Sequence, residues 1–501
     1  MAKKKQTNTP QIETRDPVVA IMGHIDHGKS TLLDFVRQSK VAQGEVGGIT
    51  QHISAYEAEH NGRKITFLDT PGHAAFSATR ERGAAIADIA ILVIAADDGV
   101  QDQTLSAYQF IKDSGIPFVV AINKIDKNNA DVERTLNSML EHSIFVEGRG
   151  GDVPYTAISA QTGEGIGELL DTVLLTADLE ELSGDRNIRA SGYILESSLD
   201  AKKGIQATCI IKNGSMRNGQ VVLAGRAMAP VRIMEDFTGT SIQEASFSKP
   251  VRIIGFDTLP EPGLDFNVFE NKKEAQKFLN ELDELSEEQE IEISDTDIGG
   301  KVAIPLVIKA DVQGSIDAIK YQVASITSQT AYFKIIDDGV GEISEADVKK
   351  AGADSQAVFV GFNVGISKSA QDSIQIHNMT AKSFDIIYEL SEYLENILET
   401  RRPRVRVEQI TGTVRIVRIF SWSNKGGVVG GRVSEGAIAL GDKMKIIRRG
   451  HQVGTAIIRE LQRGKQEARQ VEAPDEFGMR IDTKFEIAEG DDMQSITIVE
   501  E

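Results

Sequence analysis

Cysteine is almost missing from this 501-residue chain: Cys209 is the only one. That excludes an intrachain disulfide and a thiolate metal cluster, and it fits a reducing compartment. Long apolar runs are missing too. None reaches the ~18–20 residues that cross a bilayer, and the longest candidate, residues 84–96, carries Asp88. The basic residues at the N-terminus precede no apolar segment of the signal-peptide kind. A cytoplasmic chain without membrane contact is expected. Positive charge is in deficit, with 55 Lys and Arg against 75 Asp and Glu, a net −20. A uniformly basic nucleic-acid binder is thereby excluded. The deficit is uneven, because residues 401–473 hold 16 basic and 6 acidic residues. Such asymmetry points either to a nucleic-acid contact or to the solvated face of a barrel.

What is present is ordinary globular composition, 41% hydrophobic and 26% charged, and a length that allows about three to five domains. Residues 1–16 are polar and read as a flexible tail. Over 17–182, short apolar strands (18–22, 65–68, 89–96, 118–122, 155–158) alternate with helical patterns, which predicts a mostly parallel sheet covered by helices. Residues 187–268 carry short β-rich runs between NG, GT and PEPG turns, the pattern of a small β-barrel. Residues 269–300 read as a connecting helix, with Phe278, Leu279, Leu282 and Leu285 at helical spacing, running into an acidic linker. Strand–helix alternation returns over 301–385, a smaller α/β/α domain. Residues 386–402 read as a linking helix ending before Pro403, and 403–501 as a second β-barrel. The fold class is therefore multidomain α/β plus β.

The strongest local signal is Gly23-His24-Ile25-Asp26-His27-Gly28-Lys29-Ser30, a GxxxxGK[ST] match between an apolar strand and a helix that continues with Thr31. Glycines let backbone N–H groups approach phosphate oxygens, and the helix N-terminus adds partial positive charge. Lys29 would neutralise the β- and γ-phosphates, and the Ser30 hydroxyl would coordinate Mg²⁺. A second strand ends in Asp69-Thr-Pro-Gly72. Asp69 has the place of the carboxylate that holds Mg²⁺, and the Gly72 N–H would face the γ-phosphate. The third element is Asn123-Lys124-Ile125-Asp126. A carboxylate at Asp126 can accept both N1–H and the exocyclic amine of guanine; adenine offers no such donor pair and would leave it unpaired. Asn123 would bridge base and phosphate loop, the Lys124 stem would lie on the base, and Ser159-Ala160 would present backbone N–H to guanine O6. Together these elements select GTP and GDP. His24 and His27 read as structural residues of the loop.

The phosphate loop, GGITQHISAY at 47–56 and DTPGH at 69–73 resemble translational GTPases. GGITQHI in particular resembles bacterial translation initiation factor two. KADVQGS at 309–315 and GFNV at 361–364 resemble the third domain of that family. The resemblance runs from about residue 17 to the end of the chain and implies a GTPase domain, a β-barrel, a small α/β domain and a final barrel that receives initiator tRNA. It implies a minimal form without a long N-terminal extension, and a monomer. It makes Thr50 the switch threonine that closes over Mg²⁺ and the γ-phosphate, and His73 the residue that positions the attacking water. Ile25 and Ile49 become an apolar gate, and Asp26 an acid near the phosphates. Partners implied are the small and large ribosomal subunits, formyl-methionyl initiator tRNA and other initiation factors.

The last barrel departs from the family. Where the family resembles GxECG, this chain has Glu476, Phe477 and Gly478. A second family cysteine corresponds to Gly431, and Gly464 stands where an aromatic is usual. Arg463 and Lys465 are retained. Phe477 is expected either to fill the space left by Gly431 and Gly464 or to be plain barrel core. Two alternatives to an initiation factor stay open: a GTPase subunit of a metabolic enzyme with a translation-factor-like fold, and an elongation-type tRNA carrier.

Overall fold

The strand Val18–Gly23 has no solvent exposure over residues 18–22, and it sets the architecture around it. Val18, Ala20 and Met22 face one core cluster while Val19 and Ile21 face another. A strand buried on both faces belongs inside a sheet covered by helices. Its computed structural model describes residues 12–37, 50–286, 302–326, 328, 330–352, 356–401, 406–423, 425–464 and 466–500. Ile49, Lys465 and residues 287–300 of the connecting helix and acidic linker expected over 269–300 lie outside them. The chain divides into two units, Met1–Arg401 and Arg402–Glu501.

In the first unit a six-stranded sheet runs in the order Ser54–His60, Arg63–Asp69, Val18–Gly23, Ile89–Ala95, Phe118–Asn123, Tyr155–Ala157. All neighbours are parallel except the first pair. The antiparallel edge strand Ser54–His60 begins inside the segment that the sequence suggested only as a motif loop. The expected tail needs the same kind of correction. Ile12–Thr14 forms a strand paired with Ser183–Asp185, and Arg15 forms a buried ion pair with Asp88 at 2.6 Å. Lys212, from the next domain, also bonds Asp88.

That next domain is antiparallel: eight strands between Ser191 and Phe269 form one sheet around a single core. Cys209 is buried in this core, and burial pushes its thiol well above the ordinary range; it is an inert packing residue. The helix Lys272–Ser286 docks by Ala275 against Val221, Leu223 and Met228, with Phe278 against Phe269 at 5.3 Å.

A four-stranded parallel sheet follows, in the order Ala331–Val340, Val302–Ala310, Val358–Phe362, Thr380–Phe384, and the helix Ile387–Arg401 closes the unit. Its KADVQGS motif is structural. Lys309 pairs with Asp347 at 2.8 Å and Asp337 at 3.2 Å, while Asp311 accepts from Val312 N–H and Ser315 Oγ. The core on one face of this sheet contains Ala75 and Phe76 of the first domain.

The second unit is a closed antiparallel barrel of six strands. Going round, they are Arg406–Ser423, Asp492–Glu500, Lys443–Arg448, His451–Arg463, Glu476–Asp482 and Gly426–Ala439, which pairs back to the first.

Three domains of the first unit meet at Glu196. Its Oε1 accepts from Ser197 N–H at 3.0 Å and from Gly314 N–H at 3.3 Å. Burial pushes its carboxyl from 4.5 up to about 7, against those N–H groups and Arg82. An acid raised on folding binds more protons folded than unfolded. Stability is then full below the unfolded value and falls as pH climbs towards 7, by about 3 kcal/mol. Glu196→Gln should therefore raise the urea midpoint at pH 8 and lose that advantage near pH 5. A pH-independent difference between the two proteins would contradict the assignment.

Candidate functional site

The loops at the carboxyl ends of four parallel strands meet at one edge of the first sheet. Residues 24–28 lead into the helix Lys29–Arg37, whose first N–H groups have no partner within the helix and point at the loop. Gly28 has φ +87°, and a Cβ there would stand 2.3 Å from Asn123 Nδ2, so only glycine fits. Asp26 and Lys124 also sit at positive φ, 61° and 65°, strain of the kind that gathers at functional loops.

Lys29 is buried, and its Nζ donates to the carbonyls of Gly23 at 3.0 Å and His24 at 2.7 Å. Burial lowers its pKa to about 8, with Asp69 pulling it back up. His27 lies within 3.3 Å of both Val93 O and Asp98 Oδ2, and burial lowers it to about 4. It is a neutral structural residue at pH 7. His24, 5.0 Å from it, is lowered by burial and then by Lys29.

Ser30 Oγ and Thr50 Oγ1 are 2.8 Å apart, and Thr50 Oγ1 donates to Asp69 Oδ2 at 3.3 Å. Three hard oxygen donors from three segments converge, a donor set that suits Mg²⁺. Among the described residues no group of three His, Cys, Asp or Glu could hold a metal ion. A cation at this point would complete its shell with substrate oxygens and water. On the base side, Asn123 Nδ2 donates to His27 O at 2.8 Å, and its Oδ1 accepts from Ala160 N–H at 2.9 Å. Ser159 Oγ donates to Asp126 Oδ1 at 2.6 Å. A cavity of about 200 Å³ is lined by Ile25, Asp26, Gly28, Lys29, Ser30, Thr31, Thr50, Gly72, His73 and Lys124. Asp69, Asn123, Asp126, Ser159 and Ala160 are not among the lining residues; Asn123 is tied to the phosphate loop through His27 O and to Ala160, and Asp126 to Ser159.

His73 opens the short 3-10 turn Ala74–Phe76 and caps it, its Nδ1 accepting from Ala75 N–H at 2.9 Å. The neutral ring therefore carries its proton on Nε2. Burial, then Arg80, holds His73 below the usual histidine range. Ile25 stands next to Gly72, where an added Cβ would lie 3.2 Å from Ile25 Cγ1.

Three contributors were not picked out from the sequence. Gln103 Oε1 accepts from the Ile25 N–H at 3.0 Å. Gln51, beside Thr50, reaches into the third domain. Arg80, 2% exposed, donates to the carbonyls of Pro71 at 3.3 Å, Gly72 at 3.1 Å and His73. Burial lowers its pKa to about 10. No motif separates Arg80 from its neighbour Arg82. Only the weak apolar periodicity of 77–86 hints which one faces inward.

In the barrel of the second unit, a cavity of about 430 Å³ is lined by Val417, Arg418, Phe420, Gly430, Gly431, Arg432, Gln462, Gly464, Glu476, Phe477 and Gly478. Phe477 is 5% exposed and belongs to the barrel core as well. A Cβ at Gly431 would stand 2.1 Å from Arg415 O and 2.9 Å from Phe477 Cζ, so the backbone of the neighbouring strand closes this position first and the Phe477 ring lies beside it. Nothing lies within 4 Å of a Cβ at Gly464, so Phe477 does not fill that space. Arg463 is ion-paired with Asp475 at 2.7 Å and is not among the lining residues.

Removing the Arg80 guanidinium takes a donor from the buried carbonyls of Pro71 and Gly72, at about 1–3 kcal/mol each, and from that of His73, which keeps the Phe76 N–H. Arg80→Ala should lower GTP turnover about tenfold or more and leave GDP affinity within a few-fold, since no phosphate-loop residue is touched. Measuring kcat beside the GDP dissociation constant separates the two; equal losses in both would refute this role.

Three family descriptions match the chain in order. Elongation factor Tu GTP binding domain matches residues 15–178, Elongation factor G domain 2 matches 189–269, and Translation-initiation factor 2 matches 273–395. The chain is similar over its length to Translation initiation factor IF-2 of Rubrobacter xylanophilus: 39% identity over 495 residues, 97% of this chain and 72% of that protein. It is likewise 39% identical over 503 residues to the Bacillus licheniformis protein of the same name, covering 98% and 70%. Among solved structures, GDP-bound aIF5B from Aeropyrum pernix aligns at 23% identity with a TM-score of 0.47, covering 96% of this chain and 92% of that one.

Proposed function

The chain belongs to the translation initiation factor IF-2 family and is a translational GTPase; we propose that it promotes initiator tRNA binding to the small ribosomal subunit and subunit joining, with GTP hydrolysis stimulated by the ribosome. The observation that carries the reading is one cavity lined by Lys29, Ser30, Thr50 and His73, with Asp69 bonded to Thr50 behind it. Phosphoryl transfer needs positioning and charge neutralisation more than covalent help, and these groups supply both. Lys29 neutralises the β- and γ-phosphates. The Gly72 N–H approaches the γ-phosphate, and Arg80 fixes the peptide units around it. His73 orients the attacking water, with Ile25 as one wall of its path. Ser30, Thr50 and Asp69 would hold Mg²⁺, which spreads charge over the phosphate oxygens when bound. Asn123, Lys124, Asp126, Ser159 and Ala160 receive the base. No described helix is long and apolar enough to cross a membrane, and we place the protein in the cytoplasm as a monomer that works beside other initiation factors.

Family membership sets aside both alternatives, the metabolic GTPase subunit and the elongation-type carrier. The barrel cavity between Arg418, Arg432, Glu476, Phe477 and Gly478 is our candidate for the formyl-methionyl end of the tRNA. Its lining combines the Phe420 and Phe477 rings with Arg418, Arg432 and Glu476.

The direct test is turnover. Ribosomes should raise GTP hydrolysis by orders of magnitude; no stimulation would sink the reading. Asp126→Asn exchanges an acceptor for a donor facing the guanine amine. It should cost GTP affinity about a hundredfold or more and gain xanthosine triphosphate, whose base has a carbonyl there. For the barrel, the full chain is titrated with formyl-methionyl, methionyl and uncharged initiator tRNA. The first should bind tightest, and affinity should fall with salt at a log–log slope near ~−2, the share of two or three phosphate contacts. Equal binding of all three would remove the cavity from initiator selection.

A further inference from the structure

Two segments that flank the nucleotide cavity lean on a single turn of another domain. Gln51, next to Thr50, is buried. Its Nε2 donates to Asp385 O at 2.8 Å, and its Oε1 accepts from the N–H of Ile387 at 3.3 Å. Ile387 starts the helix Ile387–Arg401, so Gln51 satisfies one of the N–H groups that a helix leaves free at its beginning. The next residue, Tyr388, stands edge-on to His73 with ring centroids 4.4 Å apart and planes at 76°. Tyr388 is half exposed, and burial followed by the charge of Asp26 raises its phenol. Through His73, which lines the nucleotide cavity, it stands beside that site.

His73 thus has two restraints. Its Nδ1 is committed to the Ala75 N–H, and its ring lies against Tyr388. Both hold the imidazole over its own helical turn, and a ring that swings to meet a water in the cavity must leave both. We infer that Tyr388 is a positioning residue for GTP hydrolysis: it holds His73 back until Gln51, the anchor of the 385–388 turn, is displaced. The inference rests on the reading of His73 as the group that orients the water. Gln51 follows Thr50 directly along the backbone. Thr50 already stands with Ser30 and Asp69 while the Gln51 and Tyr388 contacts are intact, so the restraint is released only when the segment that carries Gln51 moves away from the 385–388 turn.

The test is basal GTP turnover of the full chain without ribosomes. An edge-on aromatic contact corresponds to roughly a two- to tenfold change in a rate it opposes. Tyr388→Ala should raise basal turnover by that factor. Tyr388→Phe keeps the ring and should restore the restraint. His73→Ala combined with Tyr388→Ala should erase the gain. Gln51→Ala should show part of the gain and add nothing to Tyr388→Ala, as expected for residues acting through one contact. Should the alanine variant fold poorly, Tyr388→Leu keeps an apolar side chain without the ring and should show the same gain. No gain in a folded variant, or a gain that survives without His73, overturns the proposal. Ribosome-stimulated turnover of His73→Ala separates the two layers. Intact stimulation would sink the water-orienting role itself, whereas lost stimulation with no basal gain at Tyr388 would sink only the restraint.

Discussion

The first domain depends on the burial of its central strands on both faces. Val18–Gly23 and Ile89–Ala95 have essentially no accessible surface, so no side chain within them can reach a solute. Polar chemistry is possible only where these strands end, and in a parallel sheet their carboxyl ends lie on one edge. There the phosphate loop, Asp69, Asn123 and Ser159 arrive from four strands. The hydrogen bonds from Asn123 to His27 O and from Ala160 N–H to Asn123 are what lock these ends to one another. Buried Lys29 is tolerable because two loop carbonyls and the Asp69 charge accompany it.

The turn after the site obeys a second burial constraint. Ala75 and Phe76 are core residues of the smaller α/β domain, while His73 just before them lines the nucleotide cavity. Three polar contacts run alongside this apolar plug: His52 to Asp311 at 2.9 Å, Arg82 to Asp317 at 3.2 Å, and Gln51 to the 385–387 backbone. The segments nearest the γ-phosphate position are thus packed elements, and packed elements shift between discrete arrangements rather than by degrees. Movement of Thr50 or of 71–76 has to be shared with the sheet Val302–Ala310 belongs to. Conversely, whatever moves that sheet acts on His73.

Elements with the strongest burial were the most legible in the sequence. The central strands were found almost to the residue, because five to seven consecutive apolar residues admit few other readings. The edge strand Ser54–His60 was missed, since only Tyr56 of its residues is buried and its polar alternation followed a conspicuous motif. Ile12–Thr14 is three residues long and takes its order from pairing with Ser183–Asp185, a partner that no local pattern announces. The nucleotide-site residues were legible because phosphate and base chemistry restrict residue type at fixed spacing. Arg80, Gln103, Gln51 and Tyr388 were not. Each acts through backbone groups or a ring brought near by tertiary folding, and an arginine or glutamine on a helix looks the same in sequence whether it faces solvent or a carbonyl.

The barrel shows how a sequence window can mislead about charge. Residues 401–473 are basic, but the same barrel continues through 474–501, which holds 9 acidic and 2 basic residues. Those late carboxylates return to the early arginines: Arg448 to Asp491 at 2.8 Å, Arg459 to Asp482 at 2.8 Å, Arg463 to Asp475 at 2.7 Å. The Arg459 and Arg463 pairs are exposed and contribute little to stability, whereas Asp491 is buried beside Arg448; all three cancel much of the field that a charged partner would feel. What remains for recognition is local. Arg418 and Arg432 line the cavity, and Phe420 lies across Gly430, where a Cβ would come within 2.8 Å of its ring. The cavity so built offers the rings of Phe420 and Phe477, two arginines and the carboxylate of Glu476 among its lining residues. If it receives an acyl end, as proposed above, discrimination has to come from these side chains rather than from the net charge of the barrel.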